Sequence, residues 1–281
     1  MKQVRIGSEK TGYVRVGDGS PCAVMAEVGI NHDGSAERAV ELVSLAAASG
    51  ADLIKFQLID PAAMVQKEKL SAVWDIYSRH TLGLEEMARV SRACSERKIP
   101  FVCTVFDIAG AARMVEVGVN AFKVASCDMN HLPLLEALGQ YGLPVILSTG
   151  LADLEEVSAS VRALKRGGCR EIVLLHCVSA YPAPPESVNL RAMQTLERRF
   201  RLPCGFSDHT SGALTPALAA SLGATMVEKH FTYDSAAPGP DPLFPARGLR
   251  PDSRHRAVPE QDTLRRNQSH RHTQQGRDTD A

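Results

Sequence analysis

From Pro21 onward the chain repeats one pattern: a short apolar run, a polar tip, then alanine, leucine and charge at three- and four-residue spacing. The apolar runs fall at 22–28, 52–57, 100–105, 121–125, 144–148, 172–177, 203–206 and 224–229. Short apolar runs bounded by turn residues predict strands buried on both faces, the signature of a parallel sheet. Segments at 36–49, 85–97, 109–117, 154–166 and 213–222 carry the helical period,. Many of the helical stretches end in glycine (Gly50, Gly118, Gly142, Gly167, Gly168, Gly223), as C-caps do where the backbone turns left-handed. Eight strands alternating with helices predict a (β/α)8 TIM barrel rather than a doubly wound sheet.

Two stretches stand apart from this rhythm. Residues 3–16 alternate around the polar turn Ser8-Glu9-Lys10-Thr11-Gly12, which predicts a β-hairpin ahead of the barrel. The stretch 58–83 is longer than an ordinary connection and predicts an insert over the barrel mouth. After Phe244 the pattern stops. Residues 245–281 are rich in Arg, Gln and His and have no lysine, a composition expected to stay disordered. The expected organisation is therefore a hairpin at 1–20, a barrel at 21–244 and a tail at 245–281. On that reading the eighth covering helix is missing, and the last strand and its neighbour expose an apolar face.

Composition narrows the class. The 281 residues accommodate one barrel, and 32 Lys+Arg against 32 Asp+Glu give zero formal charge. That balance does not point to nucleic acid or a membrane surface as partner. Seven cysteines, with no CxxC pair, read as reduced and mostly buried thiols of a cytoplasmic protein. The opening MKQVRIGSEK has no apolar signal core, and no stretch approaches the roughly 18 apolar residues of a membrane span,.

In such barrels the C-terminal ends of the strands face the active site. Collecting them gives Glu27, Asn31 and His32; Lys55 and Gln57; Thr104 and Phe106; Lys123, Ser126 and Asp128; Ser148 and Thr149; His176, Ser179 and Tyr181; Ser207 and His209; Glu228 and His230. Two lysines with several hydroxyls suit an anionic, phosphorylated substrate. His209 and His230 end the two strands of one βαβ unit. At matching depth on neighbouring strands, about 4.8 Å apart, they could share a metal ion; two unrelated histidines are the alternative. His176, inside the run IVLLHC, reads as a hydrogen-bonded core residue. Asp208 reads as orienting its loop.

Several segments resemble the sialic acid synthase family: AEVGINHDG at 26–34, GADLIKFQ at 50–57, KVASCDMNHLPLL at 123–135, LSTG at 147–150, LLHCVSAYPAPPESVNL at 174–190, GFSDHT at 205–210, EKHFT at 228–232 and PGPD at 238–241. The resemblance implies condensation of phosphoenolpyruvate with N-acetylmannosamine or a related acylamino sugar, with release of phosphate. It implies that His209 and His230 hold Mn2+ or Mg2+ as a Lewis acid. Lys55, Lys123, Ser126, Ser148 and Ser207 would bind phosphoenolpyruvate, with Ser179 beside its phosphate, and Glu27 would lie next to the reacting carbons. Gln57, Thr104, Phe106, Asp128, Tyr181 and Asp241 would contact the sugar. A homodimer is a further implication.

Three departures from the family pattern stand out. Asp128 occupies a position where many members carry glutamate, Ser179-Ala180 replaces an asparagine-containing pair, and the likeness stops after Asp241. The last suggests a truncated chain with a frameshifted tail, lacking the family's antifreeze-like domain. Two alternatives remain open at this point: a Schiff-base aldolase using Lys55 or Lys123, and an inactive remnant that only binds ligand.

Overall fold

Parallel strands pair only when a crossover returns the chain to the same edge, and the alternation of apolar runs with helical segments supplies one crossover per strand. The computed structural model describes residues 3–233. It begins with the antiparallel hairpin β1 (Val4–Ser8) and β2 (Gly12–Val16). Then follow β3 (Ala23–Gly29), α1 (Ala36–Ala48), β4 (Leu53–Gln57), α2 (Pro61–Met64), α3 (Ser71–Arg79) and α4 (Leu84–Arg97). The middle of the chain forms β5 (Phe101–Thr104), α5 (Ile108–Val117), β6 (Ala121–Val124), α6 (Leu132–Gly139), β7 (Val145–Ser148) and α7 (Leu154–Arg166). Last come β8 (Ile172–Cys177), α8 (Ala192–Phe200), β9 (Cys204–Asp208), α9 (Leu214–Ser221) and β10 (Met226–His230). Strands β3 to β10 close into a parallel barrel, β10 pairing back onto β3. The expected (β/α)8 barrel with its leading hairpin is the fold observed.

Strand alternation divides the barrel interior into two levels. At the lower level Met25, Leu53, Val102, Ile146, Val173 and Met226 pack with Val4, Ile6 and Val16 of the hairpin. The hairpin thus plugs the N-terminal end of the barrel. Two positions further along five of these six strands the inward column turns polar, to Glu27, Lys55, Thr104, Ser148 and Glu228, while β8 continues with Leu175. Gly205 lies at the lower level on β9, where an added Cβ would sit 2.1 Å from the Met226 carbonyl oxygen. Only glycine lets β9 and β10 approach so closely there.

Outward side chains pack under the helices. The largest cluster joins the strands to α1 and α4 through α7, and a separate one joins Phe206 of β9 and Val227 of β10 to Met193 of α8 and Ala219 of α9. The apolar face expected to be bare on β10 and β3 is therefore largely covered: Val227 is 1% exposed, and Val24 is half-buried against the same cluster. The expected lack of a helix after the last strand and the expected tail at 245–281 fall on residues outside those described. The 58–83 insert folds as α2 and α3, and Tyr77 of α3 reaches the barrel mouth.

The plug generates a test. Ile6 is fully buried, so Ile6→Ala should lower stability by about 2–5 kcal/mol, read as a fall in the urea midpoint. An unchanged midpoint would mean that the hairpin does not seal the barrel.

Candidate active site

Four charged side chains from four strands form the floor of the barrel mouth. Glu27, Lys55, Lys123 and Glu228 are between 1% and 5% exposed. Buried charges persist only when paired and hydrogen-bonded, and here each has partners. Lys55 Nζ lies 3.1 Å from Glu27 Oε1 and 3.6 Å from Glu228 Oε1, and Lys123 Nζ lies 3.7 Å from Glu228 Oε2. Lys55 also donates to Thr104 Oγ1 (3.0 Å), Lys123 to Ser148 Oγ (2.7 Å), and Ser207 to Glu228 Oε1 (3.0 Å). Gln57 Nε2 donates to Glu27 Oε1 at 2.6 Å. Glu27 Oε2 is buried with no hydrogen-bond partner among the described residues.

The four groups titrate differently because their neighbours differ. Burial opposes charge on Lys55, but Glu228 and Glu27 outweigh it and hold the ammonium above its ordinary range. Burial likewise opposes charge on Glu228, and Lys123 and Lys55 overcome it, so that carboxylate stays ionised. Lys123 is lowered by burial, which Glu228 only partly offsets. Glu27 is raised, chiefly by burial, against the pull of Lys55. One carboxyl of the pair is thus fixed as an anion and the other is shifted toward holding a proton.

Above this floor stand two imidazoles from the ends of β9 and β10. The rings of His209 and His230 have centroids 5.8 Å apart, and the Tyr181 ring lies 4.1 Å from His209. His209 Nδ1 donates to the Val178 carbonyl oxygen (2.7 Å), which leaves Nε2 as the nitrogen with a lone pair. Burial, first among the causes, pushes both histidines down to about 4, so both are neutral at neutral pH. Among the described residues no group of three or more His, Cys, Asp or Glu is placed to hold a metal ion. Two neutral imidazoles, one with its tautomer fixed, are the donor set that a divalent cation would meet here.

Floor and imidazoles bound one cavity of about 320 Å³. Of the residues predicted from sequence, it is lined by Glu27, Lys55, Gln57, Thr104, Phe106, Lys123, Ser126, Ser148, Ser179, Tyr181, Ser207, His209 and His230. Asp128 is not among the lining residues. It ends the short 3-10 turn Ser126–Asp128 and accepts from Cys127 Sγ at 3.2 Å, and Cys127 faces the cavity in its place. The expected sugar contact of Asp241 lies outside the described residues. The remaining strand-end residues serve the scaffold. Asn31 Nδ2 donates to the Phe231 carbonyl (3.0 Å), His32 Nδ1 accepts from Gly34 N (3.1 Å), Thr149 donates to the Leu175 carbonyl (3.2 Å) and His176 Nε2 to the Val188 carbonyl (2.7 Å). Asp208 pairs with Lys229 and accepts from Thr210 N, holding its loop as read.

Eight lining residues carry no role in the sequence reading, among them Glu228, Tyr77, Cys177 and Leu151. Glu228 and Cys177 were legible, since each stands two positions after an inward residue, Met226 and Leu175,. Tyr77 and Leu151 lie on a helix without buried residues and on a loop, where no period marks direction.

Glu228 is the counter-charge of two lysines, and removing one member of a buried pair costs about 3–5 kcal/mol. Glu228→Gln should therefore lower the melting temperature without ligand, and inorganic phosphate should raise it by more than in the unmodified chain, because the anion restores the lost charge. Equal phosphate-induced rises in the two proteins would remove Glu228 from this role.

Comparison with known proteins gives one answer. A family model described as the NeuB family matches residues 42–253. The chain is 40% identical over 241 residues to an uncharacterised protein of Methanocaldococcus jannaschii, covering 86% of this chain and 69% of that one. It is 38% identical to the N,N'-diacetyllegionaminic acid synthase of Legionella pneumophila, over 81% of this chain and 68% of that enzyme. Among solved structures, the N-acetylneuraminic acid synthetase of Leptospira borgpetersenii superimposes with a TM-score of 0.80 at 30% identity, covering 95% of this chain and 87% of the other.

Proposed function

The chain belongs to the NeuB family, and we propose that it condenses phosphoenolpyruvate with an open-chain acylamino sugar to give a sialic-acid-type nonulosonic acid and inorganic phosphate. The observation that carries the reading is the floor itself: two lysines, 4% and 3% exposed, grouped with three hydroxyls beneath a pair of neutral imidazoles. Buried ammoniums with hydroxyl partners suit a small ligand that carries both carboxylate and phosphate. The sialic and legionaminic acid synthases to which the chain is similar support the same class.

In this mechanism Lys55 with Thr104, and Lys123 with Ser148, bind the two anionic ends of phosphoenolpyruvate and fix its enol carbon. That carbon attacks the aldehyde carbon of the sugar, forming the new C–C bond, while the aldehyde oxygen gains a proton. The positive charge left at the adjacent carbon is quenched by water, and the C–O bond to phosphate then breaks. Glu27 is suited to stabilise that positive charge and to take the proton of the entering water, having an unpartnered buried oxygen and an affinity for protons raised by burial,. Gln57, which bonds Glu27, links this carboxyl to the acceptor side. His209 and His230 would hold a divalent ion, Mn2+ or Mg2+, which would supply Lewis-acid polarisation of the aldehyde.

A Schiff-base aldolase draws support from one observation, the depression of Lys123 by burial,. Borohydride reduction in the presence of pyruvate separates the readings, since only the aldolase leaves a covalent adduct.

The direct experiment is phosphate release from phosphoenolpyruvate with manganese and N-acetylmannosamine, with and without chelator. Release should need both sugar and metal; release indifferent to the sugar would sink the proposal. Lys123→Met should raise the KM for phosphoenolpyruvate about 10- to 100-fold, the loss expected for hydrogen bonds to a charged group. His209→Ala should abolish the response to manganese.

A further inference from the structure

We infer that Cys177 is a positioning residue for substrate binding: its thiol donates to Ser126 Oγ and turns the Ser126 hydroxyl proton into the cavity, toward an anionic substrate. The inference rests on the synthase reading and deepens its phosphoenolpyruvate end. Six of the cysteines are buried, as small apolar side chains commonly are. Five of them, Cys22, Cys94, Cys103, Cys169 and Cys204, belong to the apolar clusters beneath the helices. Cys177 stands elsewhere. It ends β8 two positions above Leu175, faces the catalytic cavity, and lies opposite Ser207 of β9 in the register. Among the hydroxyls and lysines of an anion site, a thiol is placed to act as a polar group.

Three strand ends interlock at this point. Ser126 follows β6, Gly150 follows β7, and Cys177 closes β8. Ser126 Oγ lies 3.0 Å from Cys177 Sγ and accepts from the Gly150 amide at 3.0 Å. The approach is close because Gly150 has no side chain: an added Cβ would sit 2.4 Å from Cys177 Sγ and 2.8 Å from its carbonyl oxygen,. A hydroxyl has one proton and two lone pairs. The Gly150 amide fills one lone pair, and the thiol, donating, fills the second. The Ser126 proton is then left for the cavity, which Ser126 lines, and the hydroxyl can only donate to a ligand. With the opposite sense, O–H to sulfur, Ser126 would present a lone pair to an incoming anion and repel it. Sulfur accepts only weakly, which favours the first sense. The floor repeats the arrangement. Lys55 donates to Thr104 Oγ1 and Lys123 to Ser148 Oγ, so those hydroxyls too meet a donor from behind. Cys177 does the same for Ser126 without adding a second cation.

The test measures phosphoenolpyruvate binding by calorimetry, with the purified full chain and manganese. Cys177→Ala should weaken binding by about three- to tenfold, the loss of one hydrogen bond. Cys177→Ser keeps a donor and should bind within about twofold of the unmodified chain. On a Ser126→Ala background Cys177→Ala should cost nothing more, because the effect passes through that hydroxyl. Additive losses, or no rescue by serine, would show that Cys177 only fills space and would overturn the inference. A second measurement needs no alanine at this position. The infrared S–H stretching band of Cys177, identified by its loss in Cys177→Ser, should lie at the low-frequency, hydrogen-bonded end. It should shift upward in Ser126→Ala. A band at the free-thiol frequency, or one indifferent to Ser126→Ala, likewise overturns the inference. Any of these failures in a chain that binds phosphoenolpyruvate leaves the synthase reading intact. Failure of the unmodified chain to bind phosphoenolpyruvate takes down that reading, and the inference with it.

Discussion

The structure depends on two ammoniums and two carboxylates kept out of water in the middle of a barrel. Lys55 and Lys123 could not stay charged there alone, and Glu228 lies within 3.7 Å of both. Such a cluster is weak evidence for stability, since a hydrophobic replacement of the same volume is often as stable. It is better understood as stored electrostatics: charges already desolvated and oriented before a ligand arrives, so that little reorganisation remains when one binds. The surrounding fold makes that arrangement possible. Below the cluster an apolar level and the hairpin exclude water, and around it parallel strands fix the backbone on every side.

The backbone register explains why the cluster is so well ordered. Glu27 sits opposite His230 on one neighbour and Lys55 on the other, and Ser207 opposite Glu228. Each reactive side chain is held by a strand paired on both edges, and a one-residue slip on any of them would turn the side chain into the helical layer. The mouth is built otherwise. Leu151 and Tyr181 lie on loops, Tyr77 on a helix with no buried residue, and Cys127 on a single 3-10 turn. Loops of this kind change without disturbing a core, so the floor of the cavity is rigid and its mouth is free to vary.

This contrast also decides what could be read from the chain alone. Strands announce themselves by apolar runs and their tips by polarity, so Lys55, Lys123, Ser148, Ser207 and both histidines were legible as one set. Glu228 was collected with them yet given no role, although its place two residues before His230 puts both in one inward column. Its partnership with two lysines on other strands is a distance across the barrel, which no local period encodes. Asp128 is a different case. Polarity at a strand tip says that a residue is near the mouth, but in a tight turn successive residues point in different directions, and Cys127 took the inward one. Tyr77 and Leu151 had no signal, because exposure to solvent and exposure to a ligand look alike in a sequence.

The two levels of organisation bear on the order of events at the site. A floor in which two lysine side chains face two glutamate side chains has little long-range pull on an incoming anion,. Its attraction grows only at contact, where Lys123 and Ser148 on one side and Lys55 and Thr104 on the other can turn from their internal partners to a ligand. Once an anion is seated, the cavity above is left with neutral hydrogen-bonding groups, two imidazoles and apolar walls. On the proposed synthase reading, the second substrate then enters a site from which a further anion is repelled by the first. On that reading, electrostatics favours binding of the anionic substrate first and of the sugar second.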